Sequence, residues 1–379
     1  MKWQTLLLFV FLAACTAKPT PIDVQAIDSI TPSVPTKALA KNIIFLIGDG
    51  MGMGQLTAGT MVNGNTSALE RFEKIGIHKP QSSSDLITDS AAAATAFACG
   101  IKTFNLAIGV DRDSNAVLTI LEEAEIKGLK TGMVATSTIL HATPASFIAH
   151  NINRRNYEEI AEDFLDTDID YFVGGGKKFF DRRINDDRNL IEELVNKGYY
   201  IDNYLNEFSD FKKAIASKEK VAFLTADNDP LPVAQGRDYL MSAAMTGIDF
   251  LSKKSENGFF IMIEGSQIDW GGHANNQDYI ITEFLEFNSV IDKVLDWAEA
   301  DGETLVVVTA DHETGGFTIQ PESKPDSLVT AFTTIKHSGD FIPVFAYGPG
   351  SELFTGIYEN TAIYYKMREA LGWPRKAID

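Results

Sequence analysis

The chain has 379 residues, 45% hydrophobic and 22% charged, the make-up of a soluble globular protein with one large α/β domain or two ordinary ones. Its formal net charge of −19 argues against nucleic acid as a specific partner, because that needs a basic face. The charge does not exclude an anionic substrate, since bound metal ions can reverse the sign of a site.

In chain order, residues 1–15 come first. One Lys precedes the apolar run Leu6–Ala14, which is too short to span a bilayer and has the layout of a secretory signal peptide. It ends in Leu12-Ala13-Ala14-Cys15, which resembles a bacterial lipobox. The expectation is an exported protein, periplasmic or held at the outer membrane by a lipid anchor at Cys15. An ordinary signal peptide with an incidental Cys is the alternative. Residues 16–40, with Pro19, Pro21, Pro32 and Pro35 among Thr and Ser, suit an extended tether. Residues 41–379 then read as a single domain. The only other cysteine, Cys99, reads as a small buried hydrophobe.

KNIIFLI from Lys41 is a buried strand ended by Gly48. SALERFEKIG at 67 has a helical pattern. TDSAAAATAFACG at 88 is an alanine-rich helix opened by Asp89 and Ser90, either as a cap or as a nucleophile at a positive helix end. LTILEEAEIKG at 118 reads as helix and TGMVATS at 131 as strand. Residues from about 155 to 240 read as helices and short strands of the same domain, with the charge run DRRINDDRNLIEELVNKG as a solvated surface. GFFIMIE at 258, ETLVVVTA at 303 and IPVFAYG at 342 are further strands, and TEFLEFNSVIDKVLDWAEA at 282 is a long helix. Apolar strands alternating with amphipathic helices predict an α/β fold: a three-layer α/β/α sandwich around a mostly parallel sheet.

The predicted strand ends share a chemistry. The first runs into Asp49. The strand at 258 runs into Glu264, Asp269 and His273, and the strand at 303 into Asp311 and His312. His337 precedes the strand at 342, and His141 opens a short polar cluster with Thr143. A lone His is usually structural, and His78 and His150 are read so. Several His and Asp residues at strand ends form the constellation of a zinc site. GDGMGMG lacks the dinucleotide spacing, and its glycines are expected to let the backbone turn so that Asp49 faces a metal.

IGDGMG, TDSAAAATAFACGIKT, HATPASFIAH followed by Arg154, YFVGGG, the Glu264–His273 segment, TADHETGG and HSGD occur in one order from residue 41 to about 350. With them the chain resembles the bacterial alkaline phosphatases, metal-dependent phosphomonoesterases. The resemblance implies an alkaline phosphatase-like catalytic domain over 41–379, phosphate monoesters as substrates and a phosphoserine intermediate on Ser90. It implies two zinc ions, one held by Asp269, His273 and His337, the other by Asp49, Asp311 and His312 with Ser90. It implies one magnesium ion at Asp49, Thr143 and Glu264, with His141 as direct ligand or acting through water. Arg154 matches the arginine that grips the substrate phosphate. His141 and Trp270 stand where some members have an Asp–Lys pair, which puts the third metal's identity in question. Asp89 is expected to hold Arg154 or the backbone, or to be an ordinary cap.

The chain is short for this family, so insertions that build dimer arms must be small or missing; a homodimer is the protein partner the resemblance allows. Two other functions stay open on these residues. One is a phosphodiesterase or sulfatase on the same fold, against which Ser90, Arg154 and the third site speak. The other is a surface lipoprotein that binds metal or phosphate without turnover, which would need neither Ser90 nor Arg154.

Overall fold

Strand β1 (Asn42–Gly48) carries seven consecutive buried residues. A run without polar alternation suits a strand covered on both faces, and β1 lies in the middle of a ten-stranded sheet. The computed structural model describes residues 39–324 and 327–374. The signal segment, Cys15 and the tether as far as residue 38 lie outside the described residues. Ala40 is already part of the fold: it is buried, and its N–H donates to the Ala370 carbonyl at 2.7 Å. The packed chain therefore begins before the expected boundary at 41.

The other strands are β2 (Lys74–Lys79), β3 (Lys130–Thr138), β4 (Tyr171–Gly175), β5 (Tyr199–Asn203), β6 (Lys220–Leu224), β7 (Phe259–Gly265) and β8 (Thr304–Thr309). Four two-residue strands follow: β9 (Glu313–Thr314), β10 (Thr318–Ile319), β11 (Thr330–Ala331) and β12 (His337–Ser338). β13 (Ile342–Tyr347) and β14 (Gly356–Glu359) complete the set. The large sheet has the order β14-β2-β13-β8-β1-β7-β3-β4-β6-β5. Of its pairings only those of β13, with β2 and β8, are antiparallel.

Successive side chains of β1 enter two different cores, as the period of two requires. Ile43, Phe45 and Ile47 pack with the helices Ser90–Cys99, Ile120–Ile126, Tyr157–Asp166 and Thr361–Ala370. Ile44 and Leu46 pack with the helices Met53–Val62, Tyr239–Lys254 and Gln277–Asp301. The result is the expected three-layer α/β/α sandwich. Each fully buried Ile or Phe contributes about 1.5–3 kcal/mol.

Two local readings need correction. Ser67 and Glu70 do form a capping box, but the helix is a single turn, Ala68–Arg71. Phe72 is already extended, and Lys74–Lys79 is captured as strand β2 between β13 and β14. Sheet pairing overrides a helical pattern of this length, since short helices are marginal alone. In the charge run, Arg183 is buried, with hydrogen bonds to Glu162, Asp186 and the Glu158 carbonyl. Asp186 of the same run and Glu162 of the helix Tyr157–Asp166 hold it between them, out of solvent.

Candidate active site

Three parallel strands deliver the site. Ile47 of β1 lies opposite Glu264 of β7 and Thr309 of β8, so all three end together. Ligands gather at such carboxyl ends. Beyond them come Asp49, Asp311 and His312, and the helix Gln267–His273 with Asp269 and His273 one turn apart. The β9–β12 pairing sets His337 opposite Thr314. Gly50 has φ +70, and a Cβ there would lie 2.7 Å from the Asp269 Cα. Only glycine lets β1 turn this sharply against the neighbouring loop. Its N–H donates to Asp311 Oδ1 at 3.1 Å.

Ser90 is the first residue of the helix Ser90–Cys99, all ten residues of which are buried. The run of alanines lets that helix lie close to the sheet. Asp89 answers both expectations at once. Its Oδ1 caps the helix by accepting from Ala92 N at 3.0 Å, and its Oδ2 accepts from Arg154 Nη1 at 3.1 Å. Leu106 N also donates to Oδ2, at 3.1 Å.

The structure brings the expected residues into three groups, in each of which one donor atom per residue lies within 4.8 Å of the others. The first is Asp269, His273 and His337. The second joins Asp49 and His312 with Asp269, so Asp269 stands between two groups. Asp311 is also there, its Oδ2 3.2 Å from His312 Nε2. The third is Asp49, His141 and Glu264. Thr143 is buried in the short helix that follows His141. Ser90 Oγ is 3.2 Å from His312 Nε2, on the second group.

The donors fit cations. Nδ1 of His273 faces the Ile335 carbonyl at 2.7 Å, and Nδ1 of His337 faces the Thr88 carbonyl at 2.9 Å. A carbonyl only accepts, so each Nδ1 carries a hydrogen and each ring turns Nε2 inward. Those two Nε2 atoms are 3.2 Å apart, an arrangement that asks for a positive charge beside them. Both oxygens of Asp49, Glu264 Oε1, Asp311 Oδ2 and Thr143 Oγ1 are buried without hydrogen-bond partners. Buried atoms of this kind are rare and point to a missing ligand. Mixed His and carboxylate donors suit zinc, and the oxygen-rich third group suits magnesium.

The electrostatics agree. Burial, with Asp311 and Asp269 beside it, holds Asp49 well above the usual carboxylate range. Burial also pushes Glu264 up to about 8, although Ser266 Oγ donates to its Oε2 at 2.6 Å. Burial opposes ionisation of Asp311 too, but the His312 ring outweighs it and holds Asp311 low. Burial and the Arg154 charge press His141 down to about 3. Arg154 Nη2 lies 3.2 Å from His141 Nε2. Arginine only donates, so His141 receives this bond on Nε2, while its Nδ1 is buried without a hydrogen-bond partner. Trp270 packs edge-on against His141, ring centres 6.1 Å apart.

Four supporting groups are not legible in the sequence. The carbonyls of Thr88 and Ile335 are backbone atoms and leave no trace in residue type. Ser266 and Thr314 sit inside quoted motifs, but nothing in their spacing says which ligand each one touches.

The family model described as alkaline phosphatase matches residues 40–331. Alkaline phosphatase 3 of Bacillus subtilis is 35% identical over 89% of this chain and 90% of its own length. This chain belongs to the alkaline phosphatase family. The Escherichia coli alkaline phosphatase is 30% identical over 88% of this chain and 86% of its own length. The alkaline phosphatase of the Antarctic bacterium TAB5 superposes with a TM-score of 0.85 at 46% identity, covering 89% of this chain and all of that one. Two variants of that enzyme, with a histidine replaced by Glu or Asp, hold magnesium at its M3 site. Family and fold support phosphomonoesterase activity. Among the described residues no helix is long and apolar enough to cross a membrane.

Proposed function

We propose that the protein hydrolyses phosphate monoesters through a phosphoserine on Ser90, at a site for two zinc ions and one magnesium ion. The observation that carries this reading is the Ser90 hydroxyl, 3.2 Å from His312 Nε2, beside buried carboxylate oxygens that have no hydrogen-bond partner. Asp269, His273 and His337 would hold one zinc, and Asp49, Asp311 and His312, with Ser90, the other. Asp49, Thr143 and Glu264 would hold magnesium, with His141 beside it. Bound cations would lower the pKa of a hydroxyl or water and neutralise charge on the entering and leaving oxygens.

The residues of the chain do the positioning. Arg154, steered by Asp89, offers its guanidinium to two non-bridging oxygens of the phosphate. Ser90 Oγ sits at the positive end of its helix, where a dianionic phosphate is favoured. Its oxygen forms a bond to phosphorus as the ester O–P bond breaks, and the alcohol leaves with a proton. Water then displaces phosphate from Ser90 Oγ. Two inversions leave the configuration at phosphorus unchanged.

The test is p-nitrophenol release from its phosphate monoester at alkaline pH. Activity should vanish on chelation and in Ser90→Ala, return with zinc and magnesium, and exceed activity on a diester. Robust chelator-resistant turnover overturns the reading. We also propose an exported enzyme anchored through Cys15; fatty-acid labelling lost in Cys15→Ser supports that, and no label on the wild type removes it.

A further inference from the structure

Thr314 lies where the first two donor groups meet. Its Oγ1 is 2.5 Å from Asp269 Oδ1 and 3.2 Å from His312 Nδ1, and all three residues are buried. A threonine hydroxyl has a single proton to donate, and an ionised carboxylate can only accept. The Thr314 proton therefore points to Asp269, and toward His312 the hydroxyl oxygen can only accept. Nδ1 of His312 must then carry a hydrogen, which leaves Nε2 as the nitrogen that faces the donor group. That Nε2 is 3.2 Å from Ser90 Oγ, 3.2 Å from Asp311 Oδ2 and 3.6 Å from Asp49 Oδ1.

In His273 and His337 the same tautomer is set by backbone carbonyls, which no substitution removes. In His312 it is set by a side chain. That side chain is braced from behind. Gln55 Nε2 donates to the Thr314 carbonyl at 2.7 Å and to Glu313 Oε1 at 2.8 Å. Glu313 in turn accepts from the N–H groups of Gly316 and Phe317, both at 3.0 Å. The hydroxyl is thus held against both ligands by a loop with its own buried clip.

We infer that Thr314 is a positioning residue, whose hydroxyl locks His312 with Nε2 toward Ser90 and ties that donor group to Asp269 of its neighbour. Its hydroxyl acts through these two side chains. The inference rests on the two-zinc reading above and adds the residue that couples its two zinc groups. Partners of metal-ligating side chains that act this way are worth about 10–100-fold in metal affinity or activity.

The experiment uses the full chain as wild type, Thr314→Val, which keeps the shape and removes the hydroxyl, and Thr314→Ser, which keeps the hydroxyl. Nitrogen-15 NMR of the histidine rings in metal-free protein reads the His312 tautomer directly. Competition with a chelator reads zinc affinity, and p-nitrophenyl phosphate kinetics separate kcat from KM. Wild type and Thr314→Ser should show the hydrogen on Nδ1 of His312. Thr314→Val should lose that uniform state, bind zinc about 10–100-fold more weakly and lose kcat with KM little changed. Wild-type zinc affinity and tautomer in Thr314→Val overturn the inference. So does an Nδ1 of His312 without hydrogen in the metal-free wild type, a result that does not depend on any variant folding. Failure of the phosphatase reading would appear separately, as a zinc-loaded wild type that does not turn over while tautomer and affinity follow Thr314.

Discussion

Glu123 and Asp49 are both buried carboxylates on the same sandwich, and the chain treats them in opposite ways. Glu123 lies in the helix Ile120–Ile126, against one face of the sheet. Its two oxygens take a two-pronged bond from Arg368, Nε and Nη2 each at 2.9 Å, and Tyr364 adds its hydroxyl at 3.1 Å. Asp49 lies at the carboxyl end of β1, and both its oxygens lack a hydrogen-bond partner. Its nearest charged neighbours include Asp311, Asp269 and Glu264, which raise the cost of ionising it. A charge that serves the fold brings its counter-charge in the same chain. A charge that serves a ligand leaves that task to the ligand, and the protein carries the cost until it binds.

The largest test of this contrast is at Ser90, which works only if the unpaired carboxylates hold cations. Ser90→Ala should lower hydrolysis of p-nitrophenyl phosphate by about a thousandfold or more while circular dichroism stays unchanged. Retained turnover would detach the serine from the chemistry.

Next comes the paired side. Arg368→Ala removes the two-pronged partner of buried Glu123 and leaves it the weaker Tyr364 hydroxyl, and should cost about 3–5 kcal/mol in a denaturation experiment. Activity per folded molecule should remain. A loss below 1 kcal/mol, roughly the value of an exposed pair, would show that the cluster is not a closed ion pair.

The unpaired side has a pH signature. In the metal-free protein Glu264 holds its proton up to about pH 8, against 4.5 for an ordinary glutamate. Across that window the folded state binds more protons than the unfolded one. Stability of the metal-free protein should therefore fall as pH rises from 4.5 to about 8. Saturating zinc and magnesium should flatten the fall, and Glu264→Gln should reduce it. A metal-free protein whose denaturation midpoint rises over the same range would contradict the assignment.

The smallest effect is at Asp89, which does both jobs. Asp89→Ala should cost about 1 kcal/mol through the lost cap. It should also raise KM for the monoester, because Arg154 loses its steering partner. Asp89→Asn, which keeps a capping oxygen, should recover most of the stability and less of the KM.

Much of this was legible in residue types. The unbroken apolar runs at 41, 258 and 303 announced strands covered on both faces, and these became β1, β7 and β8. Polar residues directly after such runs announced a site at the strand ends, because a carboxylate or imidazole there has no place in the core. The edge of the sheet was less legible: SALERFEKIG has a helical pattern, yet β13 and β14 draw Lys74–Lys79 into the sheet. Arg183 likewise left the predicted solvated surface because the helix Tyr157–Asp166 supplies Glu162 and the Glu158 carbonyl to it.

By itself the sequence determined which chemical groups stand at the ends of which strands, since apolar periodicity and strand-end polarity are local properties. The tertiary structure alone decided that Asp269 stands between two donor groups, that Arg154 meets Nε2 of His141, and that Thr314 reaches both Asp269 and His312. These are meetings of side chains far apart in the chain, set by strand register and loop path. The locks on His273 and His337 are backbone carbonyls, which every residue has, so only their positions in space distinguish them.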